Sequence, residues 1–363
     1  MRPAYVAFAP PLTHDVRSAD PRTRQRDSMS EGIDPTSAMW YYTAMFEKGQ
    51  KIADKFDPSE RAVVFPGECL DLLRGCPDGL FGLVVTSPPY NIGKEYEKRL
   101  NLDNYLAQQA EVIRECVRCL SPTGSICWQV GNYVDNGAII PLDTILYPIF
   151  TGLGLRMRNR IIWHFEHGLH CSKRFSGRYE TIMWFTKSEK YVFDLDPVRV
   201  PQKYPGKKYF KGPKAGKYSC NPLGKNPGDI WVIPNVKSNH VEKTEHPCQF
   251  PVELIERLVL SMTKKGDWVF DPFLGSGTTV IAAVRHGRRG VGAEVVPKYV
   301  DIARGRIEEE LAGTLRTRPM HKPVYDPIEA GNSLTIAPWA PKPDAAQMVL
   351  LEKQSKRERY AVR

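Results

Sequence analysis

The sequence lacks the long apolar stretches that mark membrane proteins. No run approaches the ~20 apolar residues that a membrane span requires. Near the N-terminus, Pro10, Pro11, His14 and Asp15 interrupt the segment where a signal peptide would have its apolar core. The eight cysteines are scattered and accompany no export signal, so we expect reduced thiols. The sequence therefore predicts a cytoplasmic protein with no membrane partner.

Patterns of metal ligands are also scarce. Cys116 and Cys119 form a Cys-x-x-Cys pair, but they lie in a helical pattern and no second pair follows at zinc-finger spacing. We therefore predict no metal site.

An excess of basic residues is the first positive signal. The chain of 363 residues carries a net charge of +10, which favours an anionic partner, nucleic acid first. In residues 200–245, nine lysines and no arginine stand against three acidic residues. Lysines interleaved with aromatic and turn residues are typical of a loop-rich surface on a phosphate backbone, and a solvated insertion is the alternative. The lysines expected to contact nucleic acid are Lys207, Lys208, Lys211, Lys214 and Lys217.

Strand-like and helix-like patterns alternate between residues 62 and 311. The strand-like segments are 62–65, 81–86, 125–130, 155–165, 180–185, 267–271 and 290–294, with a turn at 122–124. The helix-like segments are 69–74, 102–120, 139–151, 252–263, 278–286 and 297–311. This order predicts an α/β fold in which a mostly parallel sheet is covered by helices on both faces.

A proline-rich loop follows one predicted strand. The apolar run at 81–85 leads into Thr86-Ser87-Pro88-Pro89-Tyr90, a stiff segment because two prolines remove two backbone donors. It presents a hydroxyl, carbonyls and an aromatic ring at a strand's C-terminal end, where open parallel sheets bind ligands. Such a loop suits holding the exocyclic amine of a planar base stacked on the ring. A rigid turn with Tyr90 packed in the core is the alternative.

A glycine-rich turn follows a second predicted strand. Asp271 ends this strand, and Gly275-Ser276-Gly277 lets the backbone turn tightly and approach a ligand. The turn feeds a helix N-terminus, which favours a carboxylate or phosphate. Asp271 is placed to pair with an ammonium or hydroxyls, and Glu294, at the end of the next strand, suits a ribose diol. The segment is not the six-residue dinucleotide-binding fingerprint, because that motif has a third glycine which this sequence lacks at the required position.

Together these two segments resemble S-adenosylmethionine-dependent DNA amino-methyltransferases. Ser87–Tyr90 is similar to their (Asp/Asn/Ser)-Pro-Pro-(Tyr/Phe) catalytic motif, and Asp271–Thr278 to their Asp-Pro-Phe-x-Gly-Ser-Gly-Thr cofactor motif. The order of catalytic motif, variable region and cofactor motif resembles the permuted, beta-class arrangement of restriction-modification enzymes. The resemblance covers about residues 62–311. It implies a Rossmann-like methyltransferase sheet, with residues 200–245 as a loop-rich target-recognition insertion.

The resemblance also implies roles for individual residues. The catalytic loop would be Ser87, Pro88, Pro89 and Tyr90. The residues implied to hold S-adenosyl-L-methionine are Glu68, where the family often carries Asp after Gly, and Phe250, Pro251, Asp271, Pro272, Phe273, Gly275, Ser276, Gly277, Thr278 and Glu294.

One cysteine raises the question of a different chemistry. Pro247-Cys248 matches the Pro-Cys motif whose cysteine is the nucleophile of carbon-5 cytosine methyltransferases. No second motif of that chemistry accompanies it, and the Pro-Pro-Tyr loop already fills the catalytic place. We therefore expect Cys248 to be structural.

Ser87 stands where adenine-specific relatives more often carry Asp, which favours transfer to cytosine N4, with adenine N6 as the alternative. A non-catalytic DNA-binding protein, a nicotinamide oxidoreductase, and a methyltransferase of RNA or of a protein amide are the other hypotheses. The expected partner is double-stranded DNA, and a cognate restriction endonuclease acting on the same site is a candidate partner. The oligomeric state is left open.

These interpretations divide the chain into six parts. They are a leader at 1–33, a helical extension at 34–61 that begins with Asp34-Pro35, a catalytic half at 62–199, the target-recognition region at 200–245, a cofactor-binding half at 246–312 and a tail at 313–363.

Overall fold

An eight-stranded sheet forms the centre of the protein in the computed structural model. The structure describes residues 51–93, 99–168, 170–237 and 239–335, which all belong to a unit spanning Gly49–Arg363. The predicted leader, the helix predicted to start at Asp34-Pro35 and the basic end of the tail lie outside the described residues.

Ten strands, six α-helices and two short 3-10 helices, Asp196–Val198 and Ser333–Thr335, make up the regular structure of the described residues. The strands are β1 (Ala62–Pro66), β2 (Phe81–Thr86), β3 (Leu120–Val130), β4 (Asn132–Asp135), β5 (Ala138–Pro141), β6 (Arg156–His164), β7 (Tyr179–Thr186), β8 (Ile230–Val232), β9 (Trp268–Asp271) and β10 (Arg289–Glu294). The helices are α1 (Cys69–Arg74), α2 (Leu102–Cys119), α3 (Leu142–Gly152), α4 (Val252–Met262), α5 (Thr278–Arg285) and α6 (Pro297–Leu311). None of these helices is long and apolar enough to cross a membrane.

The strand order brings many strand ends to one edge of the sheet. The order is β1-β10-β9-β2-β3-β7-β6-β8, and the first five strands run parallel. β7 is antiparallel to β3 and β6, whereas β8 runs parallel to β6. The C-terminal ends of β1, β10, β9, β2 and β3 therefore meet at one edge, together with the ends of β6 and β8 and the start of β7. The predicted mostly parallel α/β fold is confirmed.

Apolar side chains on both faces of the sheet explain why helices cover it twice. Along β2, Leu83 and Val85 pack on one face while Phe81 and Val84 pack on the other. Helices α4, α5 and α6 cover the first face, and α1, α2 and α3 cover the second. Each face of the sheet therefore has its own apolar core. Full burial of one such side chain stabilises the fold by roughly 1.5–3 kcal/mol.

The predicted helix at 139–151 is wrong at its start. Residues 132–141 form the β4–β5 hairpin, and α3 begins at Leu142. At the hairpin turn, Asn136 and Gly137 have φ values of 47° and 87°. These left-handed conformations suit a two-residue hairpin turn, for which Asn-Gly is the strongest short signal. That signal outweighs the helical spacing of the apolar residues that follow it.

The predicted turn at 122–124 lies inside β3 as an irregularity. The pairing with β2 jumps from Phe81–Leu120 to Leu83–Ser125, so the intervening residues bulge from the ladder. Pro122 has no backbone N–H to donate. A Cβ atom at Gly124 would lie 2.9 Å from the Phe81 carbonyl oxygen. The turn residues therefore distort the strand without ending it.

Candidate active site

The proline-rich loop leaves β2 and is held from several sides. The Ser87 and Tyr90 hydroxyls are hydrogen-bonded at 3.0 Å. The Tyr105 hydroxyl, from α2, donates to the Pro89 carbonyl at 3.0 Å. The ring of Tyr90 lies against the end of β3, where a Cβ atom at Gly131 would come within 3.1 Å of it. The loop therefore presents a fixed hydroxyl and a fixed ring at the strand ends.

Asp271 ties the glycine-rich turn to this loop. Its carboxylate is fully buried at the end of β9. One oxygen accepts from the Thr86 hydroxyl at 2.5 Å and from the Phe273 N–H at 3.0 Å, and the other accepts from the Thr279 hydroxyl at 2.6 Å. Burial raises the pKa of Asp271 to about 6, although these hydrogen bonds act in the opposite direction. Its carboxylate is used within the protein and positions both loops.

The two glycines of the turn have no room for a side chain. Gly275 has φ 56° and Gly277 has φ 82°. An added Cβ atom would meet the His246 ring at 3.0 Å at the first position and Ala303 at 3.1 Å at the second. Only glycine adopts this backbone at low cost, so the sequence requires it at both positions.

A large cavity of about 600 Å³ opens beside this turn. Its polar lining includes Glu68 and Glu294, at the ends of β1 and β10. The two Glu294 oxygens accept the Gly275 and Val296 N–H groups, each at 2.9 Å. Burial raises the pKa of Glu294. Gln109 also lines the cavity, and its side-chain oxygen is buried without a hydrogen-bond partner in the described part of the chain.

The large cavity fits a ligand that combines donors with an apolar ring. Carboxylates and an unpaired amide oxygen require hydroxyl or ammonium donors. The apolar part of its lining includes Leu70, Val112, Pro272, Phe273 and Val295.

A small cavity of about 100 Å³ meets the large one at the proline-rich loop. Ser87, Tyr90 and Cys248 line both cavities. The small cavity is otherwise lined by Gln129, Trp163, Phe165, Glu180, Asn235, Val236, Lys237, Pro247, Gln249 and Phe250.

Glu180, at the start of β7, organises the small cavity. The Gln129 amide and the Tyr90 hydroxyl both donate to its Oε2, the latter at 3.4 Å. Burial raises the pKa of Glu180, while these bonds and the charge of Lys237 act to lower it. The Glu180 carboxylate therefore holds the Tyr90 hydroxyl, and with it the Tyr90 ring, in place at the wall of the small cavity.

The predicted cofactor residues fall into three groups. Glu68, Pro272, Phe273, Gly275 and Glu294 line the large cavity. Phe250 lines the small one. Neither cavity is lined by Pro251, Asp271, Ser276, Gly277 or Thr278. Arg306 supports the turn from behind, donating to the Ser276 carbonyl at 2.6 Å and the Thr278 hydroxyl at 3.1 Å.

Sequence reasoning missed the polar residues of the small cavity. The sequence pattern assigns Glu180 and Gln129 only to strands, and it places Asn235 and Lys237 in the target-recognition region without indicating a role for either residue. The antiparallel direction of β7 brings Glu180 to the site edge, and nothing in the sequence pattern fixes that direction. For Asn235 and Lys237, the short strand β8 just before them was the available signal, since its Ile-Trp-Val run is strand-like.

The five lysines predicted to contact nucleic acid lie on an exposed arm, residues 207–219. Backbone bonds close the arm, from Tyr209 N–H to the Lys217 carbonyl and from Ser219 N–H to the Lys207 carbonyl, both at 2.9 Å. Lys208 lies over the Tyr218 ring at 5.2 Å. All five lysines are exposed, and none lines either cavity.

No cluster of three or more His, Cys, Asp or Glu side chains suits a metal ion within the described ranges. Cys116 and Cys119 are both buried in α2. Burial raises the pKa of the Cys119 thiol to about 11 and that of Cys116 well above its usual range. Both therefore carry a proton at neutral pH and pack as small apolar groups.

The chain is similar to known proteins in sequence and in fold. A family model described as "DNA methylase" (N6_N4_Mtase) matches residues 81–305. The Type II methyltransferase M.BglII of Bacillus subtilis is 52% identical over 253 residues, which cover 69% of this chain and 70% of the relative. The DNA adenine methyltransferase YhdJ of Escherichia coli (strain K12) is 30% identical over 259 residues, 69% of this chain and 84% of the relative.

Among solved structures, PvuII DNA methyltransferase (cytosine-N4-specific) is similar in fold. Its TM-score is 0.54 at 22% identity, covering 70% of this chain and 93% of that one.

Proposed function

This chain belongs to the DNA methylase family, and from that premise we propose that it methylates the exocyclic N4 amine of cytosine at a specific site in duplex DNA. S-adenosyl-L-methionine is the methyl donor, and the motif order is that of the beta class. The observation that carries the proposal is that Ser87 and Tyr90 line both cavities. The large cavity then holds the donor, the small one holds the flipped base, and the loop between them carries the acceptor groups.

The donor side follows from the polar lining of the large cavity. When bound, S-adenosyl-L-methionine supplies a methyl group on a sulfonium that is already activated for transfer. Glu294 and Glu68 accept hydrogen bonds from ribose hydroxyls, and Gln109 offers its unpaired oxygen to a further donor. Gly275 lines the large cavity, and because it has no side chain, the backbone of the turn can lie close to the ligand.

The acceptor side follows from the proline-rich loop. The target base leaves the helix at a cost of a few kcal/mol and stacks on Tyr90, which returns about 1–3 kcal/mol. Ser87 and the Pro88 carbonyl accept a hydrogen bond from the amine and direct its lone pair toward the large cavity. The amine nitrogen would gain the methyl group as the donor's carbon–sulfur bond breaks with its electron pair left on sulfur as a neutral thioether, and the nitrogen would then lose one proton to solvent. Alignment supplies much of the rate, because orientation alone removes several kcal/mol from such barriers.

Cytosine N4 is favoured by Ser87 at the first position of the catalytic motif. Adenine N6 is the second candidate, because a relative at 30% identity is named a DNA adenine methyltransferase. The 52% identity to a Type II methyltransferase supports a role in a restriction-modification system, acting in the cytoplasm beside a cognate endonuclease. Residues 200–245 serve as the target-recognition region, with the arm at 207–219 on the phosphate backbone.

Methylome sequencing of a host that expresses the protein tests this function. The expected result is N4-methylcytosine at one position of one short motif. The same duplex, incubated in vitro with labelled cofactor, should accept label, and a Ser87→Ala variant should accept far less. Label on adenine supports the second candidate. Absence of label on every duplex would overturn the enzyme proposal and leave a DNA-binding protein.

A further inference from the structure

We propose that Asn235 and Lys237 read the target base inside the small cavity and select cytosine over adenine and thymine. This inference rests on the proposed function, which places the flipped base in that cavity. Both residues follow β8, at the same sheet edge as the catalytic loop, and both line the cavity.

Asn235 presents a hydrogen-bond acceptor that the protein does not use. Its Nδ2 donates to the His167 carbonyl at 2.9 Å, which fixes the orientation of the amide. Its Oδ1 is buried and accepts no hydrogen bond from any described residue. An unpaired buried acceptor is costly unless a ligand brings a donor to it. An exocyclic amine has two N–H groups, so one can reach the catalytic loop while Asn235 accepts the other.

Lys237 presents the complementary group, a cation. Its ammonium takes part in no ion pair or hydrogen bond among the residues described. Its charge acts on the Glu180 carboxylate in the wall of the same cavity. Lys237 is exposed at the cavity wall, where its ammonium can donate to a carbonyl oxygen of a base.

The two groups together match only one of the candidate bases. Cytosine carries an amine for Asn235 and a ring carbonyl for Lys237. Adenine carries the amine, but at the ring position of the cytosine carbonyl it has a C–H group, so Lys237 would find no acceptor there. Thymine places a carbonyl where Asn235 needs a donor, and two acceptors would then meet. Thymine would therefore leave the buried Asn235 oxygen unpaired, whereas adenine would lose the contact with Lys237, whose side chain is exposed.

Three duplexes and three variants test the inference. The duplexes carry the motif found by methylome sequencing with cytosine, adenine or an abasic site at the target position. The variants of the full chain are Asn235→Ala, Lys237→Met and Lys211→Met. The last removes the same charge from the exposed arm and is the matched control. Methyl transfer is measured on the first two duplexes and binding on all three.

Lys237→Met should lower the cytosine-to-adenine ratio of kcat/KM by roughly tenfold or more, the usual size of one base contact. Lys211→Met should lower transfer to both bases equally. Asn235→Ala should weaken binding of the cytosine duplex and leave binding of the abasic duplex unchanged, which also shows that the variant is folded.

An unchanged cytosine-to-adenine ratio in Lys237→Met would overturn the inference. An equal loss on cytosine and abasic duplexes in Asn235→Ala would do the same, since that pattern marks a structural role. In either case, cytosine methylation by the unaltered protein would leave the proposed function standing. Methylation of adenine instead of cytosine by the unaltered protein would overturn both.

Discussion

The Thr86 hydroxyl donates a 2.5 Å hydrogen bond to the Asp271 carboxylate. Thr86 ends β2 and Asp271 ends β9, and these two strands are parallel neighbours in the sheet. The loops that leave them carry the catalytic motif and the glycine-rich turn. One buried carboxylate therefore fixes the two loops relative to each other, as the alignment of methyl donor and base in the proposed function requires.

We predict that Asp271 makes the protein less stable as the pH rises from about 4 to 7. Its folded pKa is about 6 and its ordinary value is 3.8, so the folded state binds the proton more tightly than the unfolded chain. The stabilising contribution is fully present below pH 3.8 and is lost as the pH rises through about 6. The shift corresponds to on the order of 3 kcal/mol in the free energy of unfolding.

Urea unfolding of the unaltered protein and of Asp271→Asn, from about pH 4.5 to 7.5, checks this prediction. The variant has no titrating group at this position. The difference in unfolding free energy, unaltered protein minus variant, should fall with rising pH. Two parallel curves would contradict a raised pKa at Asp271.

Strong periodicity and loop chemistry made α4 and the glycine-rich turn predictable from the sequence. The helix at α4 and the turn at Gly275 and Gly277 follow from local sequence, because helical spacing and left-handed backbone are local properties. Of these pieces, Gly275 lines the large cavity, which opens at the ends of parallel strands. The fold class predicts the position of this cavity, because open parallel sheets bind ligands at the C-terminal ends of their strands.

The small cavity was not predictable for a physical reason. Gln129, Glu180 and Asn235 come from β3, β7 and the segment after β8, which meet only through long-range pairing. The direction of β7 decides whether Glu180 reaches the site edge or the opposite one. No periodicity encodes that direction, since a strand buried on both faces has the same pattern either way.

Tyr90→Ala should slow methyl transfer roughly ten- to hundredfold and change cofactor affinity little. In the proposed function the ring stacks on the base, and loss of one stacking contact costs about 1–3 kcal/mol. Single-turnover kinetics and calorimetric titration of the cofactor measure the two effects separately. Tyr90→Phe is the matched control, because it keeps the ring but loses the hydroxyl that contacts Ser87 and Glu180. An equal loss of rate and cofactor affinity in Tyr90→Ala would argue against stacking.

Cys248→Ser should keep methyl transfer within a few fold of the unaltered rate. Cys248 is exposed and lines both cavities, so it is close enough to matter if a covalent step existed. Methylation of an exocyclic amine needs no attack on the base carbon, and hence no thiolate nucleophile. Steady-state assays with labelled cofactor measure the rate. Loss of more than about a hundredfold, together with a covalent complex trapped on DNA, would instead indicate carbon-5 chemistry.

The double variant Lys211→Met, Lys214→Met should bind duplex DNA with a weaker dependence on salt. Each phosphate contact adds about 0.9 to the slope of log affinity against log salt, so two lost contacts lower the slope by about 2. Both side chains are exposed on the arm at 207–219, and neither lines a cavity. Fluorescence anisotropy over a salt series measures the slope, and cofactor affinity should stay unchanged.

Lys190→Met is the charge-matched control for the arm. Lys190 is exposed and follows the C-terminal end of β7, at the sheet edge opposite the catalytic loop. Its removal lowers the net charge by the same amount per residue but should leave the salt slope unchanged. Because counterion release counts only lysines that touch phosphates, equal slopes for the double variant and the control would show that the arm does not contact the DNA backbone.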